Sequence, residues 1–305
     1  MFKFLRKLLL IVIIILLIIG SVFYINGKKL YDSKLEKISL DDKINSIKAD
    51  KNFVSLENLP KDYINAVIAV EDHRYYSHGA IDPIALLRAT LSNLKQKEFK
   101  EGGSTITQQT AKNLYFISED DVISRKVAEF ILSFELEKKY SKDDILEIYI
   151  NTIYFGDGYY GIKEACNGYL NKEPKDMNLY ESTMLAGIPN APSVYAPTKN
   201  LNLTKSRQKK VVSSMLEYNY LSKEEADALN LTIETSLYTK KWCRNKIYII
   251  LYILNQSLKI LSKSFKSKYF IFSFFSIGFI VFIALLIKNS SKFILSPFKY
   301  VIPFS

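Results

Sequence analysis

A chain of 305 residues allows one sizeable domain or two small ones, and 48% hydrophobic content supplies ample material for a core. The net charge of +11 suggests nucleic acid only until it is located: the 31 acids all lie at or before Glu234 and are balanced there, so the whole excess sits in 235–305. A neutral body with a basic, apolar tail argues for a membrane surface and against a nucleic-acid partner, and two histidines with two distant cysteines, Cys166 and Cys243, exclude a histidine-rich metal site and a paired redox motif.

The N-terminus reads MFKFLRK, then runs apolar from Leu8 to Ile19 and on through Val22, Phe23 and Tyr24, with no charge before Lys28. That length suits a membrane-spanning helix. Arg6 and the flanking lysines favour a cytoplasmic start, so the rest is expected on the outer face. The run is too long for a signal-peptide core, and no A-x-A-like site follows it, so residues 1–27 are expected to be an uncleaved anchor. Residues 28–58 are charged and irregular in pattern, as in a juxtamembrane connector. From Leu59 to about Leu229 helical periodicity dominates. Ile123, Val127, Phe130, Ile131 and Phe134 fall on one stripe that predicts a buried helix face. Ser141 with Asp144 predicts a capping box opening a helix over Lys142–Asn151. Gly156, Gly158 and Gly161 break that pattern. A helix around Tyr180–Gly187 then leads into a loop stiffened by Pro189, Pro192 and Pro197. Residues 59–234 thus read as one mainly α domain without internal repeats. In the tail, 235–305, the uncharged run Tyr269–Ile287 is long enough for a second span; its composition fits an out-of-frame extension equally well.

Three segments carry chemistry. In AVIAVEDHRYYSHGAID an apolar run ends at Glu71-Asp72, so a carboxylate sits at the end of a buried helix beside aromatic residues, a place for a proton acceptor. GGSTITQQTAKN offers Ser104, Thr105, Gln108 and Gln109 as neutral partners and Lys112 as a cation, a set suited to a polyhydroxylated, anionic ligand such as a sugar diphosphate. In RKVAE, Arg125 and Lys126 stand one helical turn before Glu129, so all three share a face, read as opposite the apolar stripe. Each segment has a plain structural reading as well: a solvated helix end, a polar capping loop, a salt-bridged surface.

Together with KDDILEIYIN, YFGDGYYGIKEA and LAGIPNAPSVYAP, these blocks make residues 59–197 resemble the peptidoglycan glycosyltransferases, found as monofunctional transglycosylases or at the N-terminal end of class A penicillin-binding proteins. The resemblance implies a lysozyme-like, mainly α, two-lobed fold behind an N-terminal transmembrane helix, with the smaller lobe dipping into the membrane surface. It implies Glu71 as the base acting on the acceptor, lipid II, and Glu129 as a second essential acid that helps to hold the pyrophosphate, often through a divalent cation, Mg2+ or Mn2+. By the same resemblance Lys112, Arg125 and Lys126 neutralise the leaving diphosphate, while Ser104, Thr105, Gln108 and Gln109 line the donor side. The expected partners are lipid II, the growing lipid-linked glycan strand, the cytoplasmic membrane and penicillin-binding transpeptidases. Glu119-Asp120-Asp121 stand where many relatives carry a further base. Two other readings stay open: a lysozyme-like enzyme that cleaves peptidoglycan, and an inactive membrane remnant. No transpeptidase activity is expected, since no Lys-Ser/Thr-Gly occurs.

Overall fold

The computed structural model describes residues 2–96 and 102–229; Cys243, the tail 235–305 and its candidate span lie outside them. The chain begins as one unbroken helix, α1 (Phe2–Leu35). Within Leu10–Leu35 an 18-residue window has a mean hydropathy of 2.7 with almost nothing buried, the length and composition of a bilayer-crossing helix. Then follow α2 (Leu40–Lys48), α3 (Lys61–Glu71), α4 (Pro83–Gln96), α5 (Ile106–Ala111), α6 (Val122–Lys139), α7 (Lys142–Thr152) and α8 (Gly161–Leu170). The last are α9 (Leu179–Gly187), α10 (Pro192–Tyr195), α11 (Leu201–Glu217) and α12 (Lys223–Ala228). Among the described residues there is no strand beyond one isolated bridge, Tyr154 to Tyr160, so the mainly α expectation holds.

Two helix groups organise the body. α3 packs on α9 and α11, which also pack on each other, while α5 packs on α6 and α7. α3 is buried nearly all round, through Tyr63, Ala66, Val67, Ile68 and Ala69, as a central helix must be. Local chemistry sets the ends of the others. Thr105 with Gln108, Ser141 with Asp144 and Asn178 with Glu181 form capping boxes at α5, α7 and α9. Gly156, Gly158 and Gly161 turn the chain between α7 and α8 with φ of +90°, +87° and +76°. At Gly161 a side chain would also meet the Asn151 carbonyl oxygen at 2.6 Å.

Residues 28–58 are not the irregular connector their charge pattern suggests. α1 continues to Leu35 and packs on α6, where Tyr31 bonds to Glu135, and Lys34 pairs with Glu119. Ser39 caps α2, whose Leu40 and Ile44 are buried. The Asn151 side chain pairs with both backbone groups of Val54 at 2.8 Å, and Glu147 accepts from the Leu56 N–H at 2.9 Å. These partners lie far away in sequence, so local pattern could not show them.

The apolar stripe of α6 also lies elsewhere than predicted. Ile123, Phe130 and Phe134 are 48%, 42% and 48% exposed, whereas Ala128, Glu129, Leu132, Ser133 and Leu136 are buried. The small residues let α6 pack closely in the body. The large apolar ones lie outward, and Ile123, Val127 and Phe130 line a groove with α1.

Candidate active site

Glu71 is the last residue of α3 and sits where the two helix groups meet. Its side chain is 11% exposed. Gln109 of α5 donates to its Oε2 at 3.0 Å, and the Arg207 guanidinium of α11 lies 3.5 Å from its Oε1. Both partners are held in turn. The Tyr149 hydroxyl donates to Gln109 Oε1 at 3.2 Å, and Arg207 Nε donates to the Gly187 carbonyl at 3.2 Å. The Arg207 guanidinium also lies 5.9 Å from the Tyr195 ring centre. One carboxylate is thus oriented by α5, α7, α9 and α11 together, with its path to solvent left narrow.

The polar segment divides into two kinds of residue. Thr105 is buried, donates to the Ala80 carbonyl at 2.8 Å and accepts from the Gln108 N–H at 3.1 Å; Gln108 Oε1 accepts from the Thr105 N–H at 3.0 Å. Those side-chain groups hold the start of α5, so the structure gives Thr105 and Gln108 a capping role where a ligand-facing one was expected. Gln109 faces Glu71. Ser104 Oγ lies 3.5 Å from Lys126 Nζ. Lys112 follows Gln108 and Gln109 by one turn, on their face of the helix, and forms no ion pair among the described residues.

Arg125, Lys126 and Glu129 come together as their spacing requires. Glu129 is 1% exposed. Lys126 Nζ meets its Oε2 at 2.6 Å, and Arg125 Nε lies 3.4 Å from its Oε1. That second contact is charge proximity without a hydrogen bond, since Arg125 Nε and Glu129 Oε1 are buried with no hydrogen-bond partner. Two cations face one carboxylate, leaving a surplus positive charge that attracts an anionic group. The carboxylates of Glu119 and Asp121, before α6, are engaged elsewhere, the first with Lys34. Asp121 caps α6 through the Ile123 and Ser124 N–H groups, and the Glu119 carbonyl accepts from Arg125 at 3.0 Å.

A buried network missed by sequence reasoning supports Glu71 from behind. Asp72 accepts from the Ile106 N–H at 3.0 Å and pairs with His78 Nε2 at 2.8 Å. The other His78 nitrogen faces the Gly79 carbonyl at 2.7 Å. Burial opposes a charge on His78, but the Asp72 hydrogen bond and charge with the Gly79 carbonyl outweigh it and hold the imidazole above its ordinary range. Arg74 grips both oxygens of Asp82, which also caps α4. Burial raises the Asp82 carboxyl, yet Arg74 and the Ala85 N–H win and hold it below the usual range. Burial, with Arg88 and Arg74 close by, pushes His73 down to about 4, and its ring stacks on Tyr218 at 4.0 Å.

Asp72, His78 and Asp82 are the one cluster of metal-ligand type among the described residues. Their lone pairs are committed to each other, to Arg74 and to backbone donors, so they fit a metal poorly. Glu129 Oε1 accepts no hydrogen bond and is the one oxygen here that a divalent cation taking a single protein carboxylate could use, once it displaced the Arg125 Nε that lies 3.4 Å away. Arg207 carried no sequence signal, being 136 residues from Glu71 and outside every recognised block.

The protein-family model for transglycosylases matches residues 41–216, beginning inside the stretch expected to be connector. Penicillin-binding protein 1A of Neisseria lactamica is 38% identical over 214 residues, 69% of this chain and 27% of its own. Penicillin-binding protein 1F of Bacillus subtilis (strain 168) is 40% identical over 207 residues, 67% of this chain and 29% of its own. The chain therefore spans under a third of the length of these relatives. A solved structure of penicillin-binding protein 1A from Haemophilus influenzae aligns over 72% of this chain and 22% of its own, with 22% identity and a TM-score of 0.35.

Proposed function

The chain belongs to the transglycosylase family, and from that membership we propose that it polymerises peptidoglycan from lipid II on the outer face of the cytoplasmic membrane. One observation supports this reading above others. Glu71 and Glu129 are tied to the same polar segment, one through Gln109 and the other through Lys126 and Ser104, and the cations Arg125 and Lys126 gather only at the second. A displacement with inversion needs that division of labour: a base beside the nucleophile and charge compensation beside the leaving group.

In the proposed step Glu71 takes the proton of the acceptor 4-hydroxyl. The freed oxygen forms a bond to the anomeric carbon of the donor strand, the bond from that carbon to the diphosphate oxygen breaks, and the electron pair leaves with undecaprenyl diphosphate. Gln109 and Arg207 hold the carboxylate for this transfer. Arg125 and Lys126 meet the developing charge, and Lys112 supplies a further cation on the same segment. A diphosphate leaves without a general acid, which sets this arrangement apart from a sugar-cleaving site. A divalent cation on Glu129 would add to the charge compensation. Penicillin-binding transpeptidases are the proposed consumers of the glycan strand.

The test is polymerisation of labelled lipid II by the purified full chain, with and without Mg2+. Wild type makes polymer, and Glu71→Gln, which keeps shape and loses basicity, makes at least about 100-fold less. Absence of polymer from wild type would overturn the activity; unimpaired Glu71→Gln would overturn the base.

A further inference from the structure

α1 and α6 touch closely at one point and part beside it. At Gly27 a side chain would meet Val127 Cβ at 2.4 Å and the Ser124 carbonyl oxygen at 3.0 Å, so glycine alone permits the crossing. Two turns earlier, at Gly20, an added Cβ meets nothing within 4 Å. Between these points lies a groove of about 470 Å3 lined by Gly20, Tyr24, Ile123, Lys126, Val127 and Phe130. That volume falls in the range of small-molecule sites. Its walls are apolar except for Lys126, whose ammonium is committed to Glu129 Oε2 at 2.6 Å while its stem borders the groove.

Lys126 therefore belongs to two sites at once. On one side is the ion cluster with its surplus positive charge, where Arg125 and Lys126 share the single carboxylate of Glu129. On the other is an apolar groove against the membrane-spanning stretch of α1. A ligand matching both has an anionic head and a long apolar tail joined directly to it. We propose that the groove between α1 and α6 receives the head-proximal isoprene units of a polyprenyl diphosphate whose diphosphate lies at Arg125 and Lys126. This rests on the proposed polymerase reading and adds a seat for the lipid chain. α1 then serves as one wall of the substrate site as well as an anchor.

The test uses the full chain in phospholipid nanodiscs and a polyprenyl diphosphate bearing a photoreactive diazirine within its first three isoprene units. Parallel arms carry the same diazirine on the polyprenol without diphosphate, or on a phospholipid. Label is expected on peptides holding Gly20–Tyr24 and Ile123–Phe130, several-fold above both other arms, and competed by unlabelled polyprenyl diphosphate. Gly20→Leu fills the open space without a clash and should cut that label about three- to fivefold, a modest factor because the chain comes from lipid and gains packing contacts alone. Gly20→Ala should stay near wild type, with thermal unfolding confirming that both variants fold. Equal label from the phospholipid probe would mean a bulk-lipid contact only and overturn the inference, as would label unchanged in Gly20→Leu. Polymer formation with label elsewhere sinks the groove and leaves the polymerase; label in the groove without polymer does the reverse.

Discussion

The base proposed at Glu71 is useful only if it points the right way, and both Gln109 and Arg207 hold its carboxylate. Arg207 bridges the Gly187 carbonyl and Glu71 Oε1, so its loss leaves the carboxylate held by Gln109 alone and unties α11 from the end of α9. Arg207→Ala is expected to lower kcat by about 10- to 100-fold, the scale set by misplacing a reacting group. KM for lipid II should change little, because the guanidinium faces the base. Arg207→Lys should recover only part of the loss, since a point charge cannot span both partners. An equal rise in KM would move Arg207 from positioning to substrate binding. The two histidines nearby give opposite pH signatures. His73 titrates near 4 in the folded chain against about 6.5 unfolded, so the unfolded state binds more protons in that window and stability rises with pH across it. His78 is held above its ordinary value, so its contribution is complete below that value and is lost as pH rises through the folded one. His73→Gln should therefore flatten the acid side of a thermal-unfolding profile between pH 4 and 6.5. An unchanged slope there would refute the assignment.

Between elements, the crossing of α1 and α6 at Gly27 makes a sharper demand than any helix propensity. The obstructing atoms are Val127 Cβ and Cγ1, both at 2.4 Å from where a new Cβ would sit, and a Cβ cannot swing aside. Gly27→Ala should cost about 1–3 kcal/mol in detergent thermal unfolding, the usual price of overpacking. Adding Val127→Gly should return part of it, since the two sites then couple in a double-mutant cycle. Simple additivity would show that the helices do not touch there. The same pair of helices marks where sequence legibility ended. Capping residues act on their own neighbours, so Ser141 with Asp144 and the start of α7 could be read directly. The glycines after α7 could also be read, because backbone of that hand needs them. The buried face of α6 could not. Periodicity finds an apolar stripe but does not say whether the body or an apolar exterior covers it, and the body's side of α6 uses Ala128, Ser133 and the paired Glu129. The site followed the same division. Glu71, Glu129, Arg125 and Lys126 stood in short motifs. Thr105 and Gln108 stood there too but serve the cap, and Arg207 lay on a distant helix that meets them only in space.

For the whole molecule, the outward apolar side chains form a second apolar surface besides α1. α4 exposes Ile84, Leu87 and Leu91, which share one helix face, and α6 exposes Val122, Ile123, Phe130 and Phe134. The two helices adjoin one segment. An added Cβ on Gly103 would touch Leu86 and Ala89 of α4, and Ser104 reaches Lys126 of α6. Scattered apolar residues on a soluble surface need no explanation, but two large stripes in a chain whose first helix is long and apolar enough to cross a bilayer do. If they lie in the membrane, α1 is not the sole attachment. A chain lacking residues 2–20, which keeps the Gly27 crossing, should still float with anionic lipid vesicles. Replacing Leu87, Leu91 and Phe134 together by Glu should release it, because each charge would have to leave water for an apolar phase. In the full chain the same triple change should leave α1 anchored while polymer formation falls, since Glu71 would no longer be held against the membrane that carries the proposed lipid-linked substrate. Vesicle flotation separates the outcomes. A shortened chain that stays wholly in solution would make α1 the only anchor, and the exposed stripes would then call for a protein partner.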